Sequence, residues 1–98
     1  MNKTILMGRL TKEPEIRYTS ANNTAVCSFT LAVNRRKKGE VDFINCQAWT
    51  GTAEFISKYM AKGQQIAIVG RIQTRTWDDN DGKKKYVTEV VAEEAFFA

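Results

Sequence analysis

The sequence predicts an all-β domain, a five-stranded barrel with one short α-helix between strands 3 and 4. Three observations carry that reading. Short segments alternate apolar and polar residues with the period of two that strands require. One window, between Thr50 and Gly63, switches to helical spacing. The chain has 98 residues and no internal repeat, low-complexity tract or linker, so residues 1–98 form a single domain long enough to bury one core.

The elements follow in order. Lys3 to Leu10 reads as a first strand, with Ile5 and Met7 alternating against Thr4 and Leu6. Pro14 ends the stretch that follows, because proline cannot donate to a ladder. Ile16 to Thr19 is a brief extended piece before the Ser20-Ala21-Asn22-Asn23 turn. In the second strand Cys27, Phe29, Leu31 and Val33 fall on one face, with Ser28 and Thr30 on the other. Arg35 to Glu40 forms a polar hairpin loop with Gly39 late in the turn. The third strand, Val41 to Trp49, has two unlike faces. Ile44, Cys46 and Ala48 suit a core, whereas Phe43, Asn45, Gln47 and Trp49 mix large aromatics with amides. Thr50 or Thr52 can cap a helix in which Phe55, Ile56, Tyr59 and Met60 recur at helical spacing and plug the core, with Gly63 as its C′ glycine. The fourth strand runs from Gln65 to Trp77. It places Ile66, Ile68, Gly70 and Ile72 on one face and Arg71, Gln73, Arg75 and Trp77 on the other. Asp81-Gly82 is a hairpin signal, and the last strand runs from Lys85 to Glu93, with Ala95 to Ala98 trailing off. Five antiparallel strands with a helix between the third and fourth is the order of an OB-fold barrel.

Composition narrows the chemistry. Histidine is absent, which removes Ser-His-Asp triads, Cys-His pairs and His-ligated metals. The glycines are isolated, so no phosphate-cradling loop appears. Asp78, Asp79 and Asp81 invite a metal reading, but Trp77 stands where a calcium loop needs an acid or amide, and a solvated turn is the simpler account. No catalytic apparatus, cofactor or metal is expected. Cys27 and Cys46 do not have zinc-ribbon or redox spacing and read as buried thiols. No signal stretch or membrane-length apolar run is present, so the expected setting is a reducing cytoplasm.

The surface pattern is the informative feature. Phe43 and Trp49 are six residues apart on one strand, on one face and roughly 20 Å from each other. The next strand presents Arg71, Gln73, Arg75 and Trp77 on its own non-core face. Single-stranded nucleic acid needs this mixture, because bases stack on aromatic rings and phosphates pair with guanidinium or ammonium groups. The plainer alternative is that these aromatics cover a barrel edge or a subunit interface. The chain carries 15 basic and 11 acidic residues, a net charge of +4. Three of those acids, Glu89, Glu93 and Glu94, sit near the end, so the rest is more basic than the total. Two runs, Arg35-Arg36-Lys37-Lys38 and Lys83-Lys84-Lys85, occupy hairpin loops that can flank a binding face, or can be merely solvated.

The motifs Asn2-Lys3-Thr4-Ile5-Leu6-Met7-Gly8-Arg9-Leu10, Pro14-Glu15-Ile16-Arg17-Tyr18 and Phe29-Thr30-Leu31-Ala32-Val33-Asn34-Arg35 carry a specific likeness. So do Asp42-Phe43-Ile44-Asn45-Cys46-Gln47-Ala48-Trp49, Gly70-Arg71-Ile72-Gln73-Thr74-Arg75-Thr76-Trp77 and Tyr86-Val87-Thr88-Glu89-Val90. Over almost its whole length the chain resembles the bacterial single-stranded DNA-binding proteins (SSB) of the OB-fold, homotetrameric type. The resemblance implies that Phe43, Trp49 and Trp77 stack bases, that single-stranded DNA is the partner, and that Lys3 to Arg9 helps to pair subunits of a tetramer. Arg35, Arg36, Lys37, Lys38, Asn45, Gln47, Arg71, Gln73, Arg75, Lys83, Lys84 and Lys85 are the expected phosphate and polar contacts. Many family members place another aromatic in the loop that here reads Arg35 to Lys38, so electrostatic contact replaces stacking there. Family members usually continue into a flexible linker and an acidic tip that recruits replication and repair proteins; such partners are expected only if a tail follows Ala98. A single-stranded RNA binder or a primosome-type protein-docking module would show the same surface.

Overall fold

A computed structural model describes all 98 residues, Met1–Ala98. The strands are β1 (Thr4–Leu10), β2 (Glu15–Tyr18), β3 (Ala25–Asn34), β4 (Val41–Trp49), β5 (Gln65–Asp78) and β6 (Lys84–Phe97), with α1 (Thr50–Tyr59) between β4 and β5. They pair in the order β1-β5-β6-β4-β3-β2, and β1 also meets β3 through Arg9↔Ala32 and Leu10↔Leu31. That extra pairing closes a barrel of β1, β3, β4, β6 and β5. The brief extended piece of the sequence is β2, an added edge strand on β3.

One pairing departs from the all-antiparallel expectation. β4 and β6 run parallel over Cys46↔Val90, Gln47↔Val91 and Ala48↔Ala92. The reason is topological: a closed ring with an odd number of strands cannot alternate direction all the way round. The last strand is also longer than its weak alternation suggests. A register shift between Val69 and Gly70 lets β6 continue along β5 as far as Ile66↔Phe97. The extra residue is Glu93 of β6, and a Cβ on Gly70 opposite it would collide with the Val91 carbonyl oxygen, so the partner strand needs a glycine there. Gly8 plays a similar part at the seam, where a Cβ would stand 2.5 Å from the Ala32 carbonyl oxygen.

The interior takes alternate residues of each strand. Cys27, Phe29 and Leu31 of β3, Cys46 and Ala48 of β4, and Ile66 and Ile68 of β5 are all buried, with Leu6, Val33 and Ile44 packed against them. In β1 the inward residues are Leu6 and Leu10, while Ile5 and Met7 face out. From α1, Ala53 and Ile56 enter the core together with Met60, but Tyr59 stays exposed beside Phe55. Neither threonine caps this helix. Its N-cap is Trp49, without a side-chain bond, while Thr50 Oγ1 donates to the Trp49 carbonyl and Thr52 Oγ1 to that of Glu93. The C-cap is Met60, so Gly63 is no C′ residue. It sits at φ +84 in the following turn and donates its N–H to the Leu10 carbonyl.

Candidate nucleic-acid interface

The β3–β4 hairpin builds the first half of the surface. Its register sets Ala32 opposite Phe43, Thr30 opposite Asn45, Ser28 opposite Gln47 and Val26 opposite Trp49. Because Phe29, Leu31, Cys46 and Ala48 of the other parity are consumed by the core, this row takes the opposite face, where Val26 is still buried but Phe43, Asn45 and Trp49 are exposed. Phe43 is 68% exposed and Trp49 40%, which is a heavy solvent cost for residues of this size unless a partner covers them. Thr30 Oγ1 donates to Asn45 Oδ1 at 3.2 Å, orienting the exposed amide. Gln47, an expected polar contact, is buried, with a relative exposure of 8%.

The β5–β6 hairpin supplies the second half. Its outer row is linked end to end. Arg71 Nη1 donates to Gln73 Oε1 at 3.3 Å, and Gln73 Nε2 donates to Glu89 Oε2 at 2.7 Å. Arg75 reaches both carboxylate oxygens of Glu89, through Nε at 2.9 Å and Nη2 at 3.2 Å. The same guanidinium stands 5.3 Å from the Trp77 ring centre, in cation–π range. Trp77 itself is 46% exposed. Glu89 is buried. Burial pushes its carboxyl pKa up, but the Arg75 and Gln73 hydrogen bonds and the Arg75 charge outweigh this and hold it below the ordinary range.

The two halves meet at an open groove of about 210 Å³ lined by Ser28, Thr30, Asn45, Gln47, Arg75 and Glu89, with Lys12 at its rim. A second hollow shares Asn45 and Glu89 and runs to Phe43. The structure therefore gathers Asn45, Gln47, Gln73 and Arg75 into one patch, with Phe43, Trp49 and Trp77 disposed around it. The basic runs stand apart from it. The Arg35–Lys38 loop joins β3 to β4 next to Phe43, and Lys83–Lys85 lie at the tip of the other hairpin, Lys85 paired in register with Trp77.

These cations are not equivalent. Arg35 is bound to Asp42 through Nη2 at 2.7 Å and Nε at 3.0 Å, and reaches Glu40 as well. The Asp42 hydrogen bond and charge raise its pKa further, and Asp42 is lowered in turn. Arg36 and Lys38 have no acidic partner, and Lys37 makes only a 3.8 Å contact with Glu40. Lys83 and Lys84 are also unpaired, whereas Lys85 lies 3.5 Å from Asp79 and Arg71 3.8 Å from Glu93. Asp79 Oδ1 accepts the N–H groups of Asp81 and Lys83, so that carboxylate organises the turn. No group of three or more Cys, Asp or Glu side chains is placed to hold a metal.

Sequence reasoning counted Glu89 as a charge and as part of the Tyr86 to Val90 motif but gave it no role in the site. Its signal was an acid on the strand between Val87 and Val90-Val91, an apolar setting in which a lone carboxylate needs a cation opposite. Cys27 and Cys46 are free and buried. Burial pushes the Cys27 thiol up to about 11 and, with the Glu89 charge adding to it, Cys46 up to about 12.

Known proteins are similar to this chain in sequence and in fold. The chain is 55% identical to single-stranded DNA-binding protein 2 of Clostridium acetobutylicum, an alignment covering 99% of this chain and 76% of that protein. It is 50% identical to single-stranded DNA-binding protein 2 of Listeria monocytogenes, across 99% of this chain and 63% of the relative. In three dimensions it is similar to a deletion mutant of the single-stranded DNA binding protein from Thermus aquaticus, with a TM-score of 0.82 and 34% identity over 100% of this chain and 41% of that one. Residues 1–98, the whole barrel with both halves of its outer surface, match the Single-strand binding protein family, and the chain belongs to that family.

Proposed function

We propose that this chain binds single-stranded DNA without reading its sequence, protecting the strand during replication, recombination and repair, and that it catalyses no reaction. Bases stack on Phe43, Trp49 and Trp77, while Arg36, Lys37, Lys38, Lys83 and Lys84 neutralise phosphates. The observation that carries this reading is the exposure of Phe43, Trp49 and Trp77 on the outer faces of two hairpins whose loops carry cations without a strong acidic partner. Rings take any base, and phosphate contacts carry no sequence information, so the binding is tolerant of composition. The setting is the cytoplasm, on nucleoid DNA; no helix is long and apolar enough to cross a membrane.

The chain assembles with itself, as a homotetramer. Ile5 and Met7 are 72% and 55% exposed on β1, beside Val69 and Ala67 of β5 and, one strand further, Phe96. A second copy would remove this apolar strip from water. Partners among replication and repair proteins require an acidic tail beyond Ala98.

Competition among poly-dT, poly-rU and duplex DNA tests the binding reading. Poly-dT should compete best. Equal or better competition by poly-rU would make the chain an RNA binder, and indifference to all three would make the aromatics protein contacts. Light scattering should give four times the 11.1 kDa chain mass.

A further inference from the structure

A surface built for a polyanion has an electrostatic reason to exclude acids, yet Glu89 stands in the middle of this one. It lines both hollows of the interface and is only 3% exposed. An isolated carboxylate there would be expensive, and the structure compensates it fully. Arg75 closes on both of its oxygens and Gln73 donates to one. The guanidinium so held is the one that lies against the Trp77 ring. Arg75, its side chain half exposed, therefore turns its charge onto a buried carboxylate, and its plane is set by the carboxylate behind it.

Resting on the single-stranded DNA reading above, we propose that Glu89 is a positioning residue of the interface: it neutralises Arg75 and fixes it as a rigid backing for Trp77, taking it out of the set of phosphate-binding cations. Trp77 occupies the arm of a hairpin that extends past the barrel, where a side chain has few packed neighbours to define it. A guanidinium anchored from below supplies that definition, because an aromatic platform held in place loses less entropy when a base stacks on it. Arg71, whose only acidic contact is 3.8 Å long, remains free for phosphate.

Salt dependence separates this role from a merely structural one. On a single strand each phosphate neutralised contributes about −0.7 to the slope of log affinity against log salt. Glu89→Gln frees the Arg75 charge while keeping the side-chain shape, so its slope should be steeper than that of the parent by about 0.7. In the double variant Arg75→Gln/Glu89→Gln no buried charge is left unpaired, and the slope should equal that of the parent. A double variant flattened by about 0.7 would show that Arg75 was already neutralising a phosphate, and would overturn the proposal. So would an unchanged slope in Glu89→Gln, which decides the matter alone if the double variant does not fold. The parent is the control: if it binds no oligonucleotide the single-stranded DNA reading itself fails, whereas a parent that binds alongside variants that disobey these slopes removes only the role of Glu89.

Discussion

Arg35 and Asp42 clasp the base of the β3–β4 hairpin, with guanidinium Nη2 and Nε at 2.7 and 3.0 Å from one carboxylate oxygen. The pair adjoins the first ladder rungs, Asn34↔Val41 and Val33↔Asp42, one residue away from Phe43. A cation in a run of four that look alike is thus a hairpin clasp, and Arg36, Lys37 and Lys38 make no comparable ion pair.

The first prediction follows from that division. Replacing Arg36, Lys37 and Lys38 with Ser should flatten the salt dependence of oligonucleotide binding by up to about 2 in log–log slope, three phosphates at about 0.7 each. Arg35→Ser should change the slope little and act instead on the order of the loop. Fluorescence titrations at several salt concentrations measure both. A larger flattening from Arg35→Ser than from the triple variant would reverse the assignment.

Phe43 and Trp49 should separate binding from folding. Phe43→Ala and Trp49→Ala should each weaken single-strand binding by about 1–3 kcal/mol, the range known for this family of binders. Phe43→Ala should shift stability by no more than about 0.5 kcal/mol, as an exposed substitution does. Ile68→Ala, at 0% exposure in the barrel interior, should instead cost about 2–5 kcal/mol of stability. Thermal melts beside titrations per folded molecule make the comparison.

Acid should loosen the protein through Glu89. Its folded pKa lies below its ordinary value of 4.5, so the unfolded chain binds more protons between the two values. The carboxylate's contribution is present above pH 4.5 and is lost as pH falls through the lowered folded value. Asp42, lowered by Arg35, adds in the same direction. Denaturation curves collected from pH 6 to 3 should show stability falling, and the fall should be shallower in Glu89→Gln. Equal slopes in parent and variant would mean that the Arg75–Glu89 pair contributes nothing in this window.

The two thiols should be inert while the protein is folded. Each is buried and its thiolate is disfavoured, with pKa values near 11 and 12, and the thiolate is the reactive form. A thiol reagent at pH 8 should modify neither Cys27 nor Cys46 in the native protein and both after unfolding. Rapid native labelling at either position would contradict the packing of β3 on β4.

The sequence alone determined the strands, the helix and the faces of β3 and β4, because side-chain direction in a strand is local and repeats every two residues. Cys27, Phe29, Leu31, Cys46 and Ala48 could therefore be assigned to the core, and Phe43 and Trp49 to the outer surface, from parity. The same parity placed Arg71, Gln73, Arg75 and Trp77 together. What it left open is who stands opposite whom. The parallel β4–β6 seam follows from closing an odd number of strands, and the continuation of β6 to Phe97 follows from the register shift at Gly70; both are conditions on the whole barrel. The sorting of the cations is tertiary for the same reason. Arg35 and Arg75 look like any other arginine in the sequence; Asp42 and Glu89, seven and fourteen residues away, reach them only across a ladder whose register the folded barrel sets.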